Sequence, residues 1–225
     1  LGVDLLVVPL APIFGLELAV KLIVLSIPVM TAAGLLLIAR EQHGALPATA
    51  AFALPLAYGF PFQFGFVNFA LSMGFGLLAF GLWLRLGRLG RTWLRAILFV
   101  PIGCIVWLAH GSGWGVLGLL VFASEMVRER ARDERFIPAA FRAGLASLPL
   151  VPPLLLMIAW RSGNVAGQSA DWFNWSAKLV WVLTMLRDRW LMFDIVSTFT
   201  LLGLVLAGFA RLGGLTMNWT LRIAA

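Results

Sequence analysis

An all-α, polytopic bundle of transmembrane helices is the fold class this sequence predicts, and three observations predict it. The 225 residues are 61% hydrophobic and only 12% charged, with a mean hydropathy of +0.96, whereas a soluble domain is about half apolar and about a quarter charged. Residues 65–84 hold no charged side chain, and a helix needs about twenty such residues to cross a bilayer. Arg85, Arg88, Arg91 and Arg95 then follow with no acidic residue among them, and short arginine-rich loops are retained on the cytoplasmic side. The span therefore runs from outside to inside. Residues 1–225 read as a single transmembrane domain, with about seven crossings and one amphipathic helix lying at the interface.

The formal charge of +7 would point to nucleic acid in a soluble protein. Here the basic residues fall between apolar runs, so they read as topology signals and no nucleic-acid partner is expected; membrane lipids are. Lys21 and Lys178 are the only lysines, and this arginine-heavy composition, rich in Leu, Ala and Gly, reads as a high-GC bacterial genome and an inner-membrane protein. Cys104 is the one cysteine, which excludes an internal disulfide and a cysteine metal cluster. The chain starts at Leu1 without an initiator Met. It is expected to be a piece of a longer protein, inactive by itself.

Residues 1–14 are apolar but interrupted by Pro9 and Pro12, and predict a short or broken helix. Residues 16–39 predict a span whose Glu17 and Lys21 pair at i, i+4, with Arg40, Glu41, Gln42 and His43 as a polar loop after it. Residues 46–58, with Pro47 and Pro55, predict a short or tilted helix returning outward. The central span over 65–84 carries Asn68, Ser72, Gly74, Gly76 and Gly81; small residues let helices approach closely, and Asn68 can bond across the bundle or meet a substrate. Residues 96–109 and 115–127 predict a hairpin turning at His110. Glu125 near its end is a possible intramembrane polar site, the alternative being a side chain that reaches the headgroups beside Arg128.

Residues 128–142 are the most charged stretch and belong on the same side as the first arginine loop. Residues 143–160 return outward, kinked by Pro149, Pro152 and Pro153. After a polar loop at 161–170, residues 171–189 place four tryptophans at 172, 175, 181 and, just beyond, 190 around Lys178, Arg187 and Arg189, the composition of an interfacial helix, with a full crossing as the alternative. Lys178, Arg187 and Arg189 are the candidate lipid-phosphate ligands, since basic side chains meet phosphate and arginine does so with two parallel hydrogen bonds. Helical periodicity puts Lys178 and Arg189 on one face, about 16 Å apart at ~1.5 Å per residue, with Arg187 opposite. Residues 191–210 predict a last inward span.

No Walker A sequence, G-x-G-x-x-G, H-E-x-x-H or cysteine ligand set occurs, and His43 and His110 are too far apart in sequence to declare a metal site. No cofactor or metal is expected. The run G-F-x-N-F-A-L-S-x-G-F-G-L-L-A-F at 65–80, with the arginine loop and the hairpin ending in Glu125, resembles uncharacterised bacterial polytopic proteins similar to GT-C type membrane glycosyltransferases. That resemblance implies a polyprenyl-phosphate-linked sugar donor and an acidic catalytic residue in a large outer loop upstream of this sequence, so no catalytic residue is carried over. The alternatives are a transporter or permease built on proline-broken helices and an integral membrane subunit without chemistry of its own.

Overall fold

Every regular element among the described residues, which are 1–132, 135–159, 173–183 and 191–210 of a computed structural model, is a helix. Backbone hydrogen bonds satisfied within each segment are what a bilayer demands. The described residues form two compact units, 1–159 and 173–210. Among the described residues three helices are long and apolar enough to cross a membrane: α2 (Leu16–His43), α4 (Val67–Arg88) and α5 (Thr92–Ala109). Counting the pair Phe136–Leu150 and Pro152–Ile158 as one span, bent by 65°, makes a fourth. The remaining crossings of the expected seven are not shown: α1 (Gly2–Phe14) is shorter, α6 (Gly111–Arg132) is charged in its second half, and within 173–210 the described helices are α9 (Trp175–Leu183) and α10 (Leu191–Ala210), neither of which meets the same test over its described residues.

Proximity fixes the direction of each helix in the first unit. The Ser72 hydroxyl near the start of α4 lies 2.8 Å from the carbonyl of Val106 and 2.7 Å from that of His110 at the end of α5. Trp83 near the end of α4 stacks edge-to-face on Phe99 near the start of α5, with ring centroids 4.7 Å apart. So α4 and α5 are antiparallel. Helix α6 turns back at His110 and runs parallel to α4, since Gly113 sits on Ser72 and Glu125 reaches Trp83. Helix α2 also runs parallel to α4, with Gly34 against Leu77 and Glu41 bonded to Arg88. All four therefore place their arginine-bearing ends together.

Two parallel helices need a return path between them. The 3-10 helix Ala48–Tyr58 supplies it, followed by the single turn α3 (Phe60–Gln63). At ~2.0 Å per residue a 3-10 helix covers more length than an α-helix of equal count, which lets this short proline-bearing run travel back along α2. The sequence expectation of a short returning helix is met in an unusual form. Two other expectations are corrected. Arg40 to His43 are not a loop but the last turn of α2, which ends at Gly44 in the left-handed region, φ 75°. The arginine loop shrinks to Leu89, Gly90 and Arg91, because Arg85 and Arg88 complete α4 and Arg95 lies in the first turn of α5.

Lipid cannot drive apolar helices together, so packing rests on small residues and a few hydrogen bonds. A Cβ placed on Gly34 would meet the Leu77 Cβ at 2.7 Å, and one on Gly113 would meet the Ser72 Oγ at 2.1 Å. Both are close approaches of α2 and α6 to α4, and a Cβ on Gly81 of α4 would likewise meet Leu37 of α2 at 2.6 Å. Around them Trp83, Phe99, Val106, Leu117, Val121 and Leu150 form one core, and Val3, Ile23, Ile27, Ala70, Leu71 and Ala109 another. Leu25, Val29, Ile105 and Leu119, by contrast, expose more than half their surface, as lipid-facing side chains do. The bent element α7 (Phe136–Ala146), the turn Leu148–Leu150 and α8 (Pro152–Ala159) are pinned to the bundle where the Trp114 indole donates to the Leu150 carbonyl at 2.9 Å.

In the second unit α9 and α10 are the described helices, and Asp194 and Thr198 of α10 are buried.

Candidate functional site

The arginine end of the first unit holds a buried ion-pair cluster centred on Glu125. Its carboxylate accepts the Trp83 indole N–H at 2.8 Å and Arg95 Nη1 at 2.9 Å through one oxygen, and Arg128 Nη2 through the other. The side chains of Glu125 and Arg95 are only 4% and 6% exposed, while that of Arg128 is 31% exposed. The Arg95 guanidinium also lies over the Trp83 ring, 4.0 Å from its centroid, close enough for a cation–π attraction.

Local structure sets up each part. On α6, Glu125, Arg128, Glu129 and Arg132 recur at three- and four-residue spacing and share one face, so Arg128 and Arg132 meet Glu125 and Glu129 at i, i+3. Arg95 sits in the first turn of α5, where the helix dipole opposes a cation, and Glu125 on the neighbouring helix offsets that cost. Gly87 opens the space: a Cβ there would come within 2.9 Å of Arg95 Nη1 and 3.6 Å of Arg128 Nη1. A second carboxylate, Glu129, accepts Arg132 Nη1 at 3.1 Å and Arg142 Nε at 2.8 Å, tying α7 to α6. Arg88 Nε donates to Glu41 at 2.7 Å, tying α4 to α2.

Two cavities adjoin the cluster. One of about 200 Å³ is bordered by Gln42, Gly87, Arg88 and Ser124, and one of about 320 Å³ by Thr92, Arg132 and Pro149; Arg95, Glu125 and Arg128 border both. In the half of the bundle away from the arginines, a third cavity of about 250 Å³, open on one side, is bordered by α2, the 3-10 helix, α3 and α4, with Ile27, Leu35, Ala57, Phe62, Met73 and Leu77 among its walls. It is apolar. The one hydroxyl at its wall, that of Thr31, already donates to the Ile27 carbonyl at 3.0 Å.

The residues singled out from sequence do not converge. Asn68 Oδ1 accepts the Val3 backbone N–H at 2.8 Å and so caps the first turn of α1, a packing role across the bundle. Glu125 does not reach toward headgroups; two arginines and an indole hold it in the interior. Lys178 is exposed on α9 with its ammonium 4.6 Å from the Trp175 ring centroid, and Arg187 and Arg189 lie outside the described residues. Glu17 and Lys21 pair in the open at 2.6 Å, as the spacing predicts. Sequence reasoning missed Arg95 and Trp83 as partners of Glu125. The one available signal was an unanswered arginine at a helix N-terminus. Among the described residues no group of three His, Cys, Asp or Glu side chains converges to hold a metal ion.

No family model, no curated protein and no solved structure matches this chain.

Proposed function

We propose that this chain is the membrane-embedded portion of a GT-C-like glycosyltransferase that uses a polyprenyl-phosphate-linked sugar. In this reading it crosses a bacterial inner membrane about seven times with its arginine ends cytoplasmic. The observation that carries the reading is the apolar cavity beside α4. Its walls offer hydrocarbon and no unsatisfied donor, so it suits a branched isoprenoid chain and would leave a sugar or an ion without partners. The stretch 65–80 that carries the resemblance contributes Phe69, Ala70, Met73 and Leu77 to that wall. Lys178, Arg187 and Arg189 are assigned the lipid phosphate, and no residue of this chain is assigned as the catalytic acid.

A diazirine-bearing polyprenyl phosphate in proteoliposomes tests this. Crosslinks are expected at Leu35, Met73 and Leu77, competed by unlabelled polyprenyl phosphate and lost on filling the cavity with Met73→Trp. Labelling spread over lipid-facing Leu25 and Val29, indifferent to competitor, would sink the proposal. A permease is the second reading. It draws on the 65° break between Leu150 and Pro152, since broken helices line transport sites, and it predicts substrate uptake by vesicles that carry the protein.

A further inference from the structure

We propose that the cleft around Arg95 and Arg128, at the arginine end of the bundle, binds a phosphate group. The proposal does not depend on the sugar-transfer reading, because it concerns different residues at the opposite end of the helices. Three observations carry it.

The first is a surplus of buried donors. Arg95 is nearly enclosed, yet among the described residues only its Nη1 meets an acceptor, Glu125. A guanidinium has five N–H groups, and buried polar groups left without partners are rare and costly. Arg128 likewise donates through Nη2 alone, to the same carboxylate. The second is charge. Arg88, Arg95, Arg128 and Arg132 border the two cavities against Glu125 and Glu129, Glu41 answers Arg88 and Arg142 shares Glu129, so among the described residues positive charge is in excess. The single carboxylate of Glu125 faces both Arg95 and Arg128. The third is room, since cavities of about 200 and 320 Å³ flank these two arginines.

Water could take up the spare donors but not the spare charge. An anion with several acceptor oxygens takes up both, and the planar fork of arginine matches phosphate geometry. Basic pockets between membrane helices hold phospholipid headgroups in this way. The same chemistry serves a lipid headgroup or a free phosphate. Glu125 then acts as a positioning residue: it holds the two guanidinia side by side, and its own two oxygens are occupied.

The test uses detergent-purified protein with phosphatidylglycerol, with diacylglycerol of the same chains, and with inorganic phosphate, bound lipid being counted by native mass spectrometry. Phosphatidylglycerol is expected to bind at least about tenfold more tightly than diacylglycerol, the scale of one charge-assisted hydrogen bond. Arg128→Gln, at a partly exposed position, should lose most of that preference, whereas Arg91→Gln on the exposed turn should keep it. Displacement of the lipid by millimolar inorganic phosphate would identify a soluble phosphate as the ligand; resistance to it would identify the headgroup. Equal binding of phosphatidylglycerol and diacylglycerol by the unaltered protein, with no binding of inorganic phosphate, overturns the proposal, as does a folded Arg128→Gln protein with unchanged preference.

Discussion

Removing the Glu125 carboxylate is the sharpest perturbation the bundle offers. In Glu125→Ala the Trp83 indole, Arg95 and Arg128 all lose their acceptor at once. Leaving a buried charge without its partner costs about 3–5 kcal/mol, and Arg95 is the group so stranded, with its side chain 6% exposed. Arg128, at 31% exposed, can turn to solvent and adds no more than ~1 kcal/mol. Water entering the adjoining cavities hydrates Arg95 in part, so the total is expected near the lower end, ~3 kcal/mol. Glu125→Gln keeps a carbonyl oxygen for Trp83 and Arg95 but loses the charge, and should cost ~1–2 kcal/mol. Arg95→Ala made on top of Glu125→Ala removes the stranded cation, so the pair should show ~1–3 kcal/mol of coupling. Reversible unfolding in mixed micelles titrated with dodecyl sulfate, followed by circular dichroism, gives each value. A Glu125→Ala protein within ~0.5 kcal/mol of the parent would refute the buried-cluster reasoning.

Three further predictions concern topology and packing. In a Cys104→Ser background, single Arg91→Cys and Arg132→Cys should resist an impermeant thiol reagent applied to intact cells while Ser112→Cys reacts; outside labelling of Arg91→Cys reverses the orientation. Gly34→Leu forces α2 off α4 at Leu77 and should destabilise by ~1–3 kcal/mol, whereas Gly118→Ala meets open space and should be neutral or gain a few tenths to ~1 kcal/mol; equal effects in thermal melts would show that the α2–α4 contact is not close. Ser72→Ala deletes the one hydroxyl that bonds the end of α5 and should cost ~0.5–1.5 kcal/mol, and a change below the error of the melt would mean those carbonyls bond elsewhere.

Much of the fold was legible because it is one-dimensional information. A bilayer fixes the length of an apolar run, so the central span over 65–84 appears as α4 with its ends displaced by a few residues. The hairpin at His110 was equally legible, since a polar break between two apolar runs admits few other shapes. The boundary errors share one cause. Arg40 to His43, Arg85, Arg88 and Arg95 are polar, and polarity reads as loop, but an arginine on the last turn of a helix is favoured by the dipole and by its long stem. Arg95, in the first turn of α5, is held there by Glu125 against the dipole. The 3-10 form of Ala48–Tyr58 was not legible, because its cause is the need to return along α2 to the start of α4.

The candidate site divides the same way. Glu125 and Arg128 are three residues apart, and the sequence by itself determined that they meet. Arg95 lies 30 residues from Glu125, and Trp83 lies 42. Their meeting depends on the register of three helices, set where Gly113 rests on Ser72 and where α5 turns into α6 at His110. A shift of one residue in that register rotates a helix face by about 100° and turns Glu125 away from Arg95. So the sequence determined the helical class, the apolar runs long enough to cross a membrane at α2, α4 and α5, and the local pairs on α6. Only the tertiary structure decided that Glu125 is enclosed, because burial and partner choice across helices depend on contacts that no spacing along one chain specifies.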